Sequence, residues 1–338
     1  EHLADAVEAL QNPAYFTSGS SDTNLSGIPG NAECIDGVYF LPVIEGFEFG
    51  EIRGQEKLVR GLQIAAAGGH NLLAVGAPGC GKTMAIQKFP ALLPYLTKDE
   101  AQTTTRIWSL AGLLQPQEPL IRTPPFRMPH QTHNGVLFVY EAAEFRSTVL
   151  QTLRVPLESG RITLSRAGRS TVYPADFQLM MAANPCPCGN FGNDSKLCLC
   201  SASAIDSYWK KFSAPLLDRI DLRIKIENES EHFEFKKHTT HDLRVSIARA
   251  VSIQRKRQSC KNVKLTPEEI GKFCKLDEKA RNELDKAVSR YDFSPRATSG
   301  IIKTARTIAD MESGGDIKEE HIQEAISFRK VYNTFGEF

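Results

Sequence analysis

No stretch of this 338-residue sequence approaches the ~20 consecutive apolar residues that cross a bilayer, and the acidic, mixed residues from Glu1 onward lack a basic-then-apolar leader. No membrane span is expected, and the expected compartment is the cytoplasm. An excess of either charge is also missing: 41 Lys and Arg stand against 40 Asp and Glu, a net charge of +1. That balance excludes a histone-like cationic coat, so any contact with nucleic acid must come from a local patch. Internal repeats and low-complexity tracts are absent. What remains is ordinary globular composition, 41% hydrophobic and 24% charged, in a chain long enough for two domains at ~100–200 residues each.

Cysteine is sparse and unevenly placed. Of the eight, Cys186, Cys188, Cys198 and Cys200 fall within fifteen residues, while the other four are scattered. Such clustering favours a metal over a disulfide framework in a reducing compartment.

Residues 1 to 48 are mostly turn chemistry with one short helical pattern (Glu1 to Leu10), and no chemistry is assigned there. Regularity begins after Glu51. A helix from Gln55 to Ala66 stops at Gly68-Gly69, an apolar strand Asn71–Val75 follows, then a glycine loop and a helix from Lys82. Further apolar runs at Gly135–Val139, Phe177–Ala182 and Asp221–Ile226 predict an α/β class, a mostly parallel sheet covered on both faces. After Glu229 apolar residues recur at helical spacing (Leu243, Ile247, Ala250, Val251; Ile301, Ala305, Ile308), which predicts a smaller α-helical domain. The expected division is a lead segment 1–48, a core 49–228 and a helical lid 229–338.

Gly76-Ala77-Pro78-Gly79-Cys80-Gly81-Lys82-Thr83 matches G-x-x-x-x-G-K-[ST] and lies between an apolar strand and a helix, the context that confirms a phosphate-binding loop. Backbone N–H groups freed by the glycines wrap phosphate, Lys82 reaches the β and γ oxygens of ATP, and Thr83 offers its hydroxyl to Mg²⁺. Such ATPases place two acids at the end of a second strand, one for Mg²⁺ and one to polarise the attacking water. Here the strand ends Val139-Tyr140-Glu141. Glu141 suits the base, but Tyr140 is a neutral phenol and a poor magnesium ligand. Asn184 ends the third strand, where it can bond the γ-phosphate or the water. Arg219 precedes the fourth strand and is expected to reach a neighbouring subunit's nucleotide; Arg296, at a helix start, is expected to reach back from the lid.

The four clustered cysteines suit a closed tetrahedral zinc site of structural role, with free buried thiols and an iron–sulfur cluster as alternatives. Between residues 160 and 173 the sequence alternates like a hairpin turning at Ala167-Gly168, and it carries Arg161, Arg166 and Arg169 without an acid. Arginines and hydroxyls in such a hairpin suit sequence-independent phosphate contacts, with a solvated basic turn as the alternative.

Taken in order, the phosphate loop, the strand-end acid, the asparagine, Leu216-Leu-Asp-Arg219 and Ser294-Pro-Arg296-Ala297 resemble the magnesium-chelatase-like group of AAA+ ATPases, ComM/YifB type. Arg53-Gly-Gln-Glu56, Pro125-Phe-Arg-Met-Pro-His130, Pro156-Leu-Glu-Ser-Gly160, Ala183-Asn-Pro-Cys-Pro-Cys-Gly189 and Ala305-Arg-Thr-Ile-Ala-Asp310 extend the likeness over residues 48 to 330. The resemblance implies an AAA+ core with a helical lid, a homo-hexameric ring whose pore receives the hairpin, and ATP-driven branch migration on DNA in transformation or recombination. It equally implies a chelatase-like ATPase that remodels a partner protein, and Tyr140 leaves open a slow nucleotide-binding switch. Residues 1–48 resemble at most the end of a Lon-like domain. Group members carry Asp at Tyr140 and Glu at Val155, and a glycine-rich insertion that is either deleted or missing between His130 and Asn134 here.

Overall fold

The computed structural model describes residues 31–114, 120–127, 133–166, 169–192, 196–226, 238–312 and 314–329. The helical pattern at Glu1 to Leu10, the Ala167-Gly168 turn and His130 lie outside the described residues. From Glu33 onward the described residues belong to one unit.

At its centre is a five-stranded sheet in which every neighbouring pair runs parallel. Its order is β4 (Phe126–Arg127), β5 (Gly135–Val139), β8 (Phe177–Ala183), β3 (Leu72–Gly76), β9 (Leu222–Ile226). The strands are apolar throughout because both faces are covered. Leu72, Ala74, Met180, Ala182, Leu222 and Ile224 face one core cluster. Leu73, Val75, Leu137, Leu179 and Met181 alternate with them into a second.

Helix α1 (Glu56–Gly68) covers the first face and buries most of its length. Gly61 permits the close approach, since a Cβ there would fall 2.2 Å from Ile224 Cδ1. The helical layer α8 (Thr240–Arg257), α11 (Pro295–Glu312) and α12 (Glu319–Arg329) packs onto the other side of α1, and its Leu243, Ile247, Ile301 and Ile308 join the same cluster. A small antiparallel pair, β1 (Glu33–Ile35) with β2 (Val38–Phe40), docks Phe40 beneath the buried Arg244 of α8. The second face is closed by short helices, α4 (Ser147–Thr152), α6 (Ala202–Trp209) and α7 (Ala214–Leu217). Strands β6 (Arg161–Arg166) and β7 (Arg169–Pro174) pair antiparallel with each other, as the alternation predicts. Among the described residues no helix is long and apolar enough to cross a membrane.

The last helix also fixes the turn before β9. Arg329, 1% exposed, donates from Nη1 to Ile220 O (2.7 Å) and from Nη2 to Asp218 O (2.7 Å) and Asp218 Oδ1 (3.0 Å). Fully buried His70 bonds Asp221 on one ring nitrogen (3.3 Å) and the Thr307 hydroxyl on the other (2.8 Å). Removing a buried charge from such a set leaves its partners desolvated and unpaired, at a cost of about 3–5 kcal/mol. Arg329→Met should therefore lower stability by about 3 kcal/mol, read as a shift of the urea midpoint at unchanged slope.

Candidate nucleotide site

Strand β3 delivers Gly76 to the phosphate loop, and α2 (Lys82–Gln87) leads away from it. Gly79 and Gly81 sit at φ +79° and +86°, a left-handed backbone that favours glycine. Lys82 is 7% exposed, and its ammonium donates to Gly76 O (2.6 Å), Ala77 O (2.7 Å) and, at longer range, Asn184 Oδ1 (3.4 Å). Burial lowers its pKa, while the Cys80 sulfur and the Glu141 charge oppose that shift. Among the described residues no carboxylate lies within ion-pair distance of Lys82, so a buried cation is held by carbonyl oxygens and, at 3.7 Å, the Cys80 sulfur. That donor set fits an anionic phosphate. Thr83, half-buried beside it, is the hydroxyl that would hold Mg²⁺.

Tyr140 and Glu141 follow β5 directly, and Asn184 follows β8, so adjacent parallel strands bring all three to the phosphate-loop end. Glu141 adopts φ +48°, left-handed for a non-glycine residue. The neighbouring Glu141 carboxylate raises the pKa of the Tyr140 phenol. Tyr140 is 46% exposed. The place of a magnesium-ordering carboxylate is thus taken by a neutral hydroxyl facing solvent.

The cysteines converge just beyond Asn184. Cys186 Sγ lies 3.4 Å from Cys188 Sγ and 3.7 Å from Cys198 Sγ, with Cys188 to Cys198 at 3.6 Å, and all four sulfurs lie within 4.8 Å of one another. A tetrahedron with Zn–S bonds of about 2.3 Å has edges of about 3.8 Å, so the four thiols fit zinc. A backbone N–H at Asn190, then the Cys186 thiol, pull the Cys188 pKa down to about 6. At Cys198 a bond from the Cys200 backbone works the other way, yet burial and the Cys188 and Cys186 sulfurs push the thiol up to about 12. This loop leans on the phosphate loop: a Cβ at Gly189 would meet Pro78 Cδ at 2.5 Å. The Trp209 indole donates to Pro185 O (3.0 Å), fixing the loop from the second face.

Arg219 and Arg296 are elsewhere. Arg219 precedes β9, and Asn71, preceding β3, donates to its carbonyl (2.9 Å), so both mark the amino ends of the strands. Five-residue strands at about 3.3 Å per residue separate that end from the phosphate loop by roughly 16 Å. Arg296 lies there too, not at the phosphate loop as expected: Glu158 Oε1 accepts from its Nη1 at 3.2 Å, while Glu158 Oε2 accepts from Arg219 Nη2. The physical reason is that the helical layer packs behind α1, which carries the start of α11 to the amino ends. A cavity of about 520 Å³ opens beside these arginines, lined also by Lys303 and Asp176.

In the hairpin, Arg161 is exposed next to Ile162, which is opposite Tyr173, itself 47% exposed. The side chains of Arg166 and Arg169 lie outside the described residues.

Residues 48–133 and 131–234 match the family described as magnesium chelatase, subunit ChlI, and residues 237–329 match its C-terminal part. The chain is 36% identical to YifB of Escherichia coli over 84% of its own length and 60% of that protein. It is 36% identical to competence protein ComM of Haemophilus influenzae over 83% of its length and 60% of that protein. An uncharacterized protein of Mycobacterium tuberculosis is 34% identical over 97% of this chain and 70% of its own. The chain belongs to the magnesium chelatase ChlI family. It spans about 60% of the length of the first two of these relatives. The family match comes in two segments that meet at residues 131–133, and family membership gives the chain an α/β AAA+ core with ATP and Mg²⁺ as the expected ligands.

Sequence reasoning passed over Glu158, Arg329 and Tyr208. Glu158 is 61 and 138 residues from its two partners, a separation that no local spacing reveals, although it lies within the quoted Pro156–Gly160 stretch. Tyr208 is buried on the second face, and burial drives its pKa upward; its only signal was an aromatic at helical spacing.

The thiol asymmetry has a measurable consequence. Cys188 is exposed and its pKa is pulled down to about 6, whereas Cys186 is buried, so iodoacetamide should alkylate Cys188 first and Cys186 last of the four in metal-free protein. One equivalent of Zn²⁺ should slow all four, as read by peptide mass spectrometry.

Proposed function

We propose that this chain is an ATP-hydrolysing subunit of a homo-hexameric ring, with residues 49–228 as nucleotide core and 229–338 as lid, acting in the cytoplasm. The observation that carries this reading is the separation of the half-sites. The phosphate loop, Glu141 and Asn184 occupy one end of the parallel sheet, and Arg219 with Arg296 occupies the other. One chain cannot bring them together, but a ring that presents each chain's amino-end arginines to the next chain's phosphate loop completes every site.

In that site the phosphate-loop amides and Lys82 hold the triphosphate. Glu141 orients the attacking water, Asn184 bonds it or the γ-phosphate, and the partner's two arginines offset charge as the γ-phosphoryl group leaves. Mg²⁺, when bound through Thr83, the phosphates and water, supplies further neutralisation. Zinc on Cys186, Cys188, Cys198 and Cys200 is structural in this reading: it closes the loop that carries Asn184 and rests on Pro78.

The substrate we infer is DNA, gripped by the Arg161, Arg166 and Arg169 hairpin with Tyr173 available for stacking on bases. The name competence protein, carried by one relative, fits branch migration in transformation or recombination. A chelatase-like remodeller of protein partners shares the same motor, and a tyrosine at position 140, where an acid is expected, favours as a second reading a slow nucleotide-binding switch.

Arg219→Ala is expected to bind ATP normally and lose turnover. Mixing it with Glu141→Gln should restore part of the activity, because some interfaces then join two intact halves; no recovery, with turnover by isolated monomers, refutes the shared site. Single-stranded DNA in the same assay sorts the substrates: stimulation supports the DNA motor, indifference the remodeller, and binding without turnover the switch.

Tyr140→Asp is expected to tighten Mg²⁺·ATP binding and raise kcat about tenfold, since ~1.4 kcal/mol is a modest contribution for a metal-linked carboxylate. The Mg²⁺ dependence of kcat, with melting temperature as control, checks it; a slower or equal rate at saturating Mg²⁺ refutes the assignment.

A further inference from the structure

We propose that Glu158 is a positioning residue that holds Arg219 and Arg296 together as one two-pronged clamp for the terminal phosphate of a nucleoside triphosphate bound to the adjacent copy. The proposal rests on the shared-site reading above and adds a residue to it.

Both carboxylate oxygens are used, one by each guanidinium. Two guanidiniums on one small planar anion form the arrangement a phosphate requires. Without that anion the two cations repel, and Arg296 has no other hydrogen bond among the described residues to keep it in place. Its side chain is 42% exposed, against 9% for Arg219, so Arg296 is the prong that depends on Glu158. Arg219 is further held by the Pro215 carbonyl.

Backbone placement is settled independently. Ser294 Oγ, two residues before Arg296, donates to Asp218 Oδ2 (3.1 Å), one residue before Arg219, and Arg329 grips the same Asp218. The segments carrying the two arginines are therefore tied together, leaving only the side chains to be aimed. Glu158 sits in the last turn of α5 (Arg154–Ser159), before Gly160 at φ +64°. A carboxylate there opposes the helix dipole, so nothing local favours it; its favourable contacts are the two distant arginines, which hold its pKa below the usual carboxylate range. Glu158 is 56% exposed, so it does not wall the clamp off. Each arginine gives it one of five N–H donors, and the half-exposed Arg296, which makes one contact, has its other donors turned to solvent. Donors remain for an incoming phosphate while Glu158 keeps its grip.

The test is a double-mutant cycle on steady-state turnover of the full chain at ring-forming concentration. Glu158→Gln should lower kcat about tenfold with KM for ATP within twofold, Glu158→Asp should recover part of that loss, and the melting temperature should stay level. Added to Arg296→Ala, Glu158→Gln should cost nothing further, because the prong that depends on Glu158 is gone and Arg219 stays held by the Pro215 carbonyl. Wild-type kcat in Glu158→Gln, or losses that multiply in the double variant, would overturn the proposal. If Arg219→Ala and Arg296→Ala lose turnover while Glu158→Gln does not, only the role of Glu158 fails; if the arginine variants keep full turnover, the shared site fails and takes this proposal with it. ATP-dependent assembly by sedimentation velocity gives a second readout that needs no turnover: Glu158→Gln should need several-fold more ATP to assemble, and an unchanged requirement counts against the proposal.

Discussion

All five strands of the central sheet run in one direction, and nearly every chemical feature of the molecule follows from that constraint. Parallel strands have two unlike ends. Loops that leave the carboxyl ends carry the phosphate loop, Glu141, Asn184 and the cysteines, whereas segments that enter the amino ends carry Asn71 and Arg219. Because both faces of the sheet are buried under helices, the ends are the surfaces left for chemistry, and strand length keeps them apart. The placement of these groups at two separate ends is thus a consequence of sheet geometry.

Buried polar groups then stiffen each end separately. At the amino end, Arg329, His70 and Asn71 satisfy the carbonyls and carboxylates of residues 218–221. Each bond contributes modestly, but leaving any one of them unmade in the interior is costly. At the carboxyl end the same work is done by contact: Gly189 against Pro78, the Trp209 indole on Pro185, and Lys82 on two loop carbonyls. The cysteine loop and the Gly76–Thr83 loop therefore share one wall, and whatever orders the sulfurs also supports the Pro78 side of that loop.

Much of this was legible in the residues. Runs such as Gly135–Val139 are apolar at every position because parallel strands are covered twice, and that pattern located four of the five strands to within a residue or so, missing the two-residue edge strand Phe126–Arg127. Glycine spacing located the phosphate loop because only a few backbones wrap phosphate, and paired cysteines located the sulfur cluster because ligand spacing is short-range. The first 48 residues gave less: Val38 and Phe40 enter the main core, yet neither belongs to a periodic segment, so nothing in their neighbourhood announces burial.

What the sequence determined by itself is chemistry that operates within a few residues: the Gly76–Thr83 loop, the Tyr140-Glu141 strand end, the cysteine pairs and the helical periodicity after Glu229. What only the tertiary structure decided is which of those groups share an end of the sheet. Arg296 illustrates it. Its motif is local and readable, but its destination depends on the helical layer packing behind α1, through contacts between residues some 200 positions apart such as Gln63 with Leu243 and Phe49 with Thr240. Glu158 illustrates it further, an acid with no local signature whose two partners arrive from distant segments. Short-range patterns specify backbone conformation and ligand sets because those are fixed by neighbouring residues; the meeting of charges from separate elements is fixed by core packing, which a linear sequence does not display.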